Sequence, residues 1–205
     1  MLIRYCFFIL IFLSFSVQGL AENTTSQLKS SKAWKSFILD TEKEVMAVAS
    51  TPCQQCAYGE TLYLWRSPRN CSIQYMSILG RYGGERNTSK ENLIAEGRVD
   101  ERRIHKFRYV LNLFSNTGLY EIAFQKFSNP QGLLQDMVYG RSIFFKIHTK
   151  LNPIFLRFSL MGFTASAQRT YALCKKLHQQ HQQNKKTPLP IDPFQDDEEV
   201  EYGTF

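Results

Sequence analysis

The sequence predicts a mainly-β domain, a β-sandwich or partly open barrel closed by one C-terminal α-helix and stabilised by disulfides. Three observations carry this expectation. Between Trp34 and Leu160 the chain is a succession of short runs rich in aromatic and β-branched residues, the composition that suits a pleated, half-buried surface. From Phe163 onward the apolar residues recur instead at helical spacing. Four cysteines, Cys53, Cys56, Cys71 and Cys174, follow an apolar leader and so are expected in an oxidising compartment.

The leader comes first in the chain. Arg4 precedes the run YCFFILIFLSFSV, and Gly19 and Ala21 supply the small residues a signal peptidase accepts, so residues 1–21 read as a removable secretory signal. The run is shorter than the ~20 residues needed to cross a bilayer, and Gln18 interrupts it. Removal leaves 184 of the 205 residues, long enough for one domain with a sizeable core. We place that domain at 22–183 and a Pro-containing linker with an acidic tail at 184–205. The product is expected in the periplasm or secreted.

Within the domain, AWKSFILD and EVMAVAS, parted by Thr41-Glu42-Lys43, read as a hairpin. TLYLWR alternates, with Leu62 and Leu64 opposite Tyr63 and Trp65, so β-formers fill both faces. CSIQYMSIL places Ile73, Tyr75 and Leu79 together, with Ser72 and Gln74 opposite. The polar stretch RYGGERNTSKEN is a loop. LIAEGRVD then turns Leu93, Ala95, Gly97 and Val99 inward, and RIHKFRYVLNLF continues the sheet. GLYEIAFQKF and GLLQDMVYG fit either period and are read as short helices about a turn at Asn129-Pro130. SIFFKIHT and IFLRFSL return to strand. Gly162 ends the last strand, and the helix that follows is expected to bury Phe163, Ala167, Tyr171, Cys174 and Leu177.

Charge is uneven along the chain. The total is +7, yet six acidic residues and no basic ones occupy the last fourteen positions. The body therefore carries a larger positive charge than the total shows. Its local cluster is Arg98, Arg102, Arg103, Lys106 and Arg108. On an extended strand Arg102, Lys106 and Arg108 share one face and Arg103 the other, so no single stripe is expected. No recognition helix, zinc finger or RNP pattern accompanies them, and nucleic acid is not an expected partner. The cluster is a candidate contact for an anionic surface or a protein partner. The tail reads as a solvated acidic run, or as a segment that folds back on the basic body.

The pair in TPCQQCAYG admits three readings. A catalytic C-x-x-C lowers a thiol's pKa at a helix N-terminus or beside a positive charge; here AYGETLYLW follows, a turn leading into a strand. A zinc site would need Cys53 and Cys56 joined by two further ligands; Cys71 and Cys174 are about a hundred residues apart and form no second C-x-x-C, and His178 and His181, at helical i and i+3 spacing, could substitute. Disulfides remain, with three connectivities. A Cys53–Cys56 bond closes a tiny ring and constrains little, whereas Cys71–Cys174 closes about a hundred residues, for which the chain-entropy estimate is ~4.7 kcal/mol; the favoured set is Cys71–Cys174 with Cys53–Cys56.

Enzyme signatures are lacking: the chain contains no G-x-S-x-G, no H-E-x-x-H and no Gly-rich phosphate loop. His105 and His148 lie in alternating strand segments, and Asp100 and Glu101 adjoin Arg102 and Arg103 as expected surface pairs. No catalytic residue and no cofactor is expected. Three N-x-S/T sites, at Asn23, Asn70 and Asn87, keep open a secreted, host-directed protein.

Trp34 opening a strand, GETLYLWR (59–66), EGRVD (96–100), GRSIFFKI (140–147) and LRFSLMGFTASAQRTYALC (156–174) occur in an order that resembles the VasI/TagO accessory proteins of type VI secretion and, secondarily, the invasion-associated locus B proteins. The shared signature is a strand ending in F-x-L-x-G and a helix ending in Cys, here Phe158, Leu160, Gly162 and Cys174. This chain differs in placing Cys71 beyond a Pro-containing turn, in adding the Cys53/Cys56 pair, and in its acidic tail. The resemblance implies a non-enzymatic accessory protein of the bacterial envelope, serving a secretion-system component or another envelope protein. The runner-up is a thiol-redox or zinc-dependent envelope protein using Cys53 and Cys56.

Overall fold

A computed structural model of the protein describes residues 24–41, 44–81, 93–114, 117–127, 130–149 and 152–186. The expected leader, the acidic tail, Asn23, Asn87 and most of the polar 81–92 loop lie outside them. Ten strands and two helices follow in chain order: β1 (Thr24–Ser31), β2 (Trp34–Asp40), β3 (Val45–Gln54), β4 (Thr61–Arg66), β5 (Ile73–Arg81), β6 (Leu93–Val99), β7 (Ile104–Phe114), β8 (Leu119–Phe127), α1 (Pro130–Tyr139), β9 (Ser142–Ile147), β10 (Ile154–Ser159) and α2 (Phe163–Lys186).

Eight strands, in the order β3-β10-β9-β6-β7-β8-β5-β4, close on themselves through the β3–β4 pairing, and every neighbouring pair is antiparallel. The architecture is thus a closed barrel rather than a sandwich. Closure removes free strand edges from these eight. Ten-residue β3 makes it possible because it is shared: Val45–Ser50 pairs with β2, while Cys53 and Gln54 pair with β10. β1 and β2 form a hairpin appended to β3. β1 was not legible in the sequence, since TTSQLKSS has no apolar alternation and is exposed almost throughout. It is held by its ladder to β2 and by Arg169, which donates to the Gln27 carbonyl at 2.6 Å.

Alternation fills the interior. β6 turns Ala95, Gly97 and Val99 inward as expected, and β7 adds Phe107 and Tyr109. Phe124 and Phe145 stack at 5.2 Å between centroids, and Phe158 meets Phe145 edge-on at 6.0 Å, a favourable aromatic geometry. GLYEIAFQKF proves to be strand β8, which pairs with both β5 and β7. Barrel closure decided that ambiguous period in favour of pairing. GLLQDMVYG is helical as expected, and Leu133 and Met137 of α1 join the core.

α2 lies chiefly against β2 and β3. Gly162, with φ +91°, makes the break that precedes it; a Cβ there would sit 1.9 Å from the Ser31 carbonyl oxygen, so only glycine fits. The buried face differs from the expected one. Phe163, Ser166, Thr170, Leu173 and Cys174 are buried, whereas Tyr171 is 46% exposed. Ser166 and Thr170 escape a hydropathy reading because they are polar, yet they are small, and Thr170 donates its hydroxyl to the Ser166 carbonyl at 2.7 Å. Tyr171 instead lies at the margin, beneath the guanidinium of Arg66 at 5.4 Å. The helix extends through Lys186, three residues into the segment read as linker.

The two disulfides are Cys71–Cys174 and Cys53–Cys56, with Cα separations of 5.6 and 5.7 Å. Cys71–Cys174 joins the β4–β5 connection to α2 within a small cluster completed by Ile38, Ala47 and Leu173. Trp34 anchors the other end of the helix: its indole is fully buried, donates to the Ser159 carbonyl at 2.8 Å and meets Phe163 edge-on at 5.0 Å.

Candidate functional site

The turn that carries Cys53 and Cys56 is the starting point. β3 ends at Gln54, β4 begins at Thr61, and the chain reverses through left-handed Gln55 and Gly59, with φ of 63° and 66°. The Cys53 amide donates to the Glu60 carbonyl at 2.7 Å. Glu60 is 2% exposed, and both its carboxylate oxygens are used: one accepts from the Tyr58 amide at 3.1 Å, the other from the Tyr120 hydroxyl at 2.9 Å. A buried carboxylate is tolerable only when its lone pairs are satisfied in this way. Glu60 thereby fastens the Cys53–Cys56 turn to β8. Gly80 of β5 makes the room, since a Cβ at that position would lie 2.7 Å from the Tyr120 ring.

Beside this turn is an open groove of about 630 Å³. Tyr58, Tyr63, Leu79 and Leu119 provide its apolar and aromatic lining, and Arg81 its cation. The Arg81 amide donates to the Tyr58 carbonyl at 3.2 Å, so the end of β5 that carries this cation is tied to the same turn. Two phenols, one guanidinium and apolar side chains suit binding, whereas general acid–base work near neutral pH calls for other groups.

The groove continues into an aromatic row on the outer face of β4 and β5. Tyr63 stacks on Trp65 at 5.4 Å and 22° between planes, and Trp65 on Tyr75 at 5.5 Å and 15°. The row arises because β4 is apolar on both faces and because a register irregularity beside Arg66 offsets Ile73 from Tyr75. Tyr75 and Leu79 therefore face outward, while Ile73 packs toward the core; the expected grouping of the three is corrected here. The Trp65 indole donates to the buried Ser77 hydroxyl at 2.9 Å. Burial raises the Tyr63 hydroxyl pKa against a lowering hydrogen bond with Thr61. Burial, with the charges of Glu121 and Glu44, pushes Tyr75 up to about 12. Both phenols stay protonated donors across the physiological range.

The expected basic cluster divides into two parts. Arg102 and Arg103 occupy the β6–β7 turn rather than a strand, and both reach Asp136 of α1, at 3.4 and 3.3 Å. His105, 3% exposed, donates Nε2–H to the same carboxylate at 2.8 Å. Burial would push the Asp136 carboxyl up, but the His105 hydrogen bond, the Arg103 charge and the Arg102 hydrogen bond outweigh it and hold it below its ordinary value. Arg98, Lys106 and Arg108 face outward on β6 and β7. Asp100 does not form the expected surface pair: it accepts from the Arg141 and Ser142 amides, each at 2.9 Å, and holds the start of β9. His148 lies 3.6 Å from Glu96.

The weak zinc set does not assemble. Cys53 and Cys56 sit at the β3–β4 turn, while His178 is bonded to the Pro68 carbonyl at 2.6 Å and His181 is exposed. No group of three His, Cys, Asp or Glu among the described residues could hold a metal ion. The element that follows Cys56 is β4, so no helix N-terminus is aimed at the pair. Sequence reasoning found Cys53, Cys56 and the two-faced TLYLWR strand but missed Glu60, Arg81 and Tyr120. Their only signal was an acidic residue in an otherwise apolar strand entry.

Fold and site together define a disulfide-tied, eight-stranded antiparallel β-barrel with a C-terminal helix and an aromatic groove on its outer face. Disulfides of this kind mark a protein outside the cytoplasm, and no helix among the described residues is long and apolar enough to cross a membrane. The chain matches no family model, no curated protein and no solved structure.

Proposed function

We propose that the protein is a non-enzymatic binding or accessory protein of the bacterial envelope, periplasmic or secreted, whose groove grips an apolar side chain and an adjacent carboxylate of a partner protein. The observation that carries this reading is the continuity of the groove with the Tyr63–Trp65–Tyr75 row. Aromatic rings offer large contact area at low entropic cost, and a single guanidinium orients an anionic group. The Cys53–Cys56 disulfide and buried Glu60 hold the wall in place, so binding needs little ordering of the site. The resemblance to type VI secretion accessory proteins favours an envelope-assembly component as the partner.

The test is affinity capture from envelope extract with the mature protein, run beside Tyr63→Ala and Arg81→Glu. A partner retained by the wild type and by a Lys176→Glu control, but lost from both groove variants, supports the reading. A partner retained equally by all four, or none at all, counts against it.

A further inference from the structure

The outer face of β6, β7, β9 and β10 is a second surface, remote from the groove. Register sets Ile104, Arg98, Phe144 and Arg157 in one cross-strand row. The next row runs Lys106, Glu96, Lys146 and Phe155, and a third pairs Arg108 with Ile94. The sheet thus collects what the linear sequence scattered: Lys146 and Arg157 join Arg98, Lys106 and Arg108, although they are some forty residues or more downstream. Cations alternate with apolar side chains that are conspicuously bare, Phe155 at 70%, Ile104 at 57%, Ile94 at 53% and Phe144 at 40%. The acidic residue in these rows, Glu96, lies between Lys106 and Lys146 and 3.6 Å from His148, so the face remains positive. Arg157 lies 5.0 Å over the Phe144 ring, which keeps that cation on the face.

We infer that this face rests on an anionic phospholipid surface. Interleaved cations and apolar side chains match a headgroup layer, where phosphates take the Lys and Arg while Phe and Ile enter the interface. The acidic segment beginning at Asp192 is the competing occupant in charge. It follows α2, however, and His178 of that helix is bonded to Pro68 between β4 and β5. β4 and β5 are not among the four strands of the face, and its nearest members, β10 and β7, stand two strand positions from β4 and from β5 respectively around the ring of eight. A bilayer needs no tether to reach the face.

Co-flotation of the full mature chain with phosphatidylcholine vesicles, with and without phosphatidylglycerol, tests this. Binding is expected only with phosphatidylglycerol and is expected to disappear near 0.5 M salt, where the Debye length falls to about 4 Å. Each basic residue near such a surface strengthens partition roughly fivefold, so Arg98→Glu/Lys106→Glu/Arg157→Glu should bind at least about a hundredfold more weakly. Phe155→Ser should weaken binding with no change in salt slope, and Lys35→Glu/Lys176→Glu should bind as wild type. Circular dichroism and intact disulfide mass confirm that each variant is folded. Binding only after truncation at Lys186 would support the face and make the acidic tail its competitor. Equal binding to both vesicles, undiminished binding by the triple variant, no binding by either chain, or retention by an anionic polysaccharide alone would overturn the inference.

Discussion

Asp136 Oδ2 accepts the Nε2–H of His105 at 2.8 Å, joining α1 to β7 across 31 residues at a point where the imidazole is 3% exposed. Arg102 and Arg103 close over the same carboxylate. The Asp136 pKa is depressed in the folded state, so its contribution is present above the unfolded value of about 3.9 and is lost as pH falls through the lower folded value. Asp136→Asn is expected to cost about 2 kcal/mol at pH 7. The difference from wild type should shrink in the acid range below about pH 4, read from urea midpoints across pH.

Cys71 and Cys174 lie 103 residues apart in sequence, and their bond constrains the unfolded chain far more than Cys53–Cys56 does. By the chain-entropy relation the long loop is worth about 4.7 kcal/mol and the short one about 2. Cys71→Ser/Cys174→Ser should therefore lower the denaturation midpoint sharply, and Cys53→Ser/Cys56→Ser only modestly. Equal losses would show that the small ring does more than close a turn.

Gly80 lines the groove and leaves room for the Tyr120 ring. In Gly80→Ala the new methyl meets the Tyr120 ring at 2.7 Å, and Tyr120 cannot yield without straining its bond to Glu60. A loss of about 1–3 kcal/mol is expected. The partner captured by the wild type should be lost with it. Unchanged stability and capture would mean that the ring moves freely.

Trp34 and Trp65 give the barrel two distinguishable reporters. Both are buried, but in different places: Trp34, 0% exposed, against Phe163, and Trp65, 7% exposed, between Tyr63 and Tyr75, whose ring sequence leads to the groove. A groove ligand should change indole fluorescence in Trp34→Phe, which retains Trp65, and leave it unchanged in Trp65→Phe. The latter should lose about 1 kcal/mol, because Ser77 loses its indole donor.

The legible parts of this molecule are those in which residue type and period agree locally. LIAEGRVD alternates cleanly because it has one buried face, and β6 is what it predicts. The oxidising setting made disulfides the favoured state of the four cysteines, and the favoured one of three connectivities is the one formed. GLYEIAFQKF was ambiguous since it is bounded by β5 and β7, and only pairing on both sides made it a strand. The α2 face was displaced because Ser166 and Thr170 are small enough to bury, and the Thr170 hydroxyl finds a local partner in the Ser166 carbonyl. β1, polar but for the exposed Leu28, owes its form to a partner strand.

The sequence by itself determined the β class and the terminal helix, which rest on local pattern, and narrowed the cysteine pairing to three connectivities, of which the tertiary structure set one. The tertiary structure decided the rest. Closure through a shared β3 turned an open architecture into a barrel and set Glu60 against Tyr120. It also drew Arg102 and Arg103 to Asp136 while gathering Arg98, Lys106, Arg108, Lys146 and Arg157 on one outer face. The physical reason is that cross-strand neighbours are fixed by register, and register in a closed sheet is set by every strand at once.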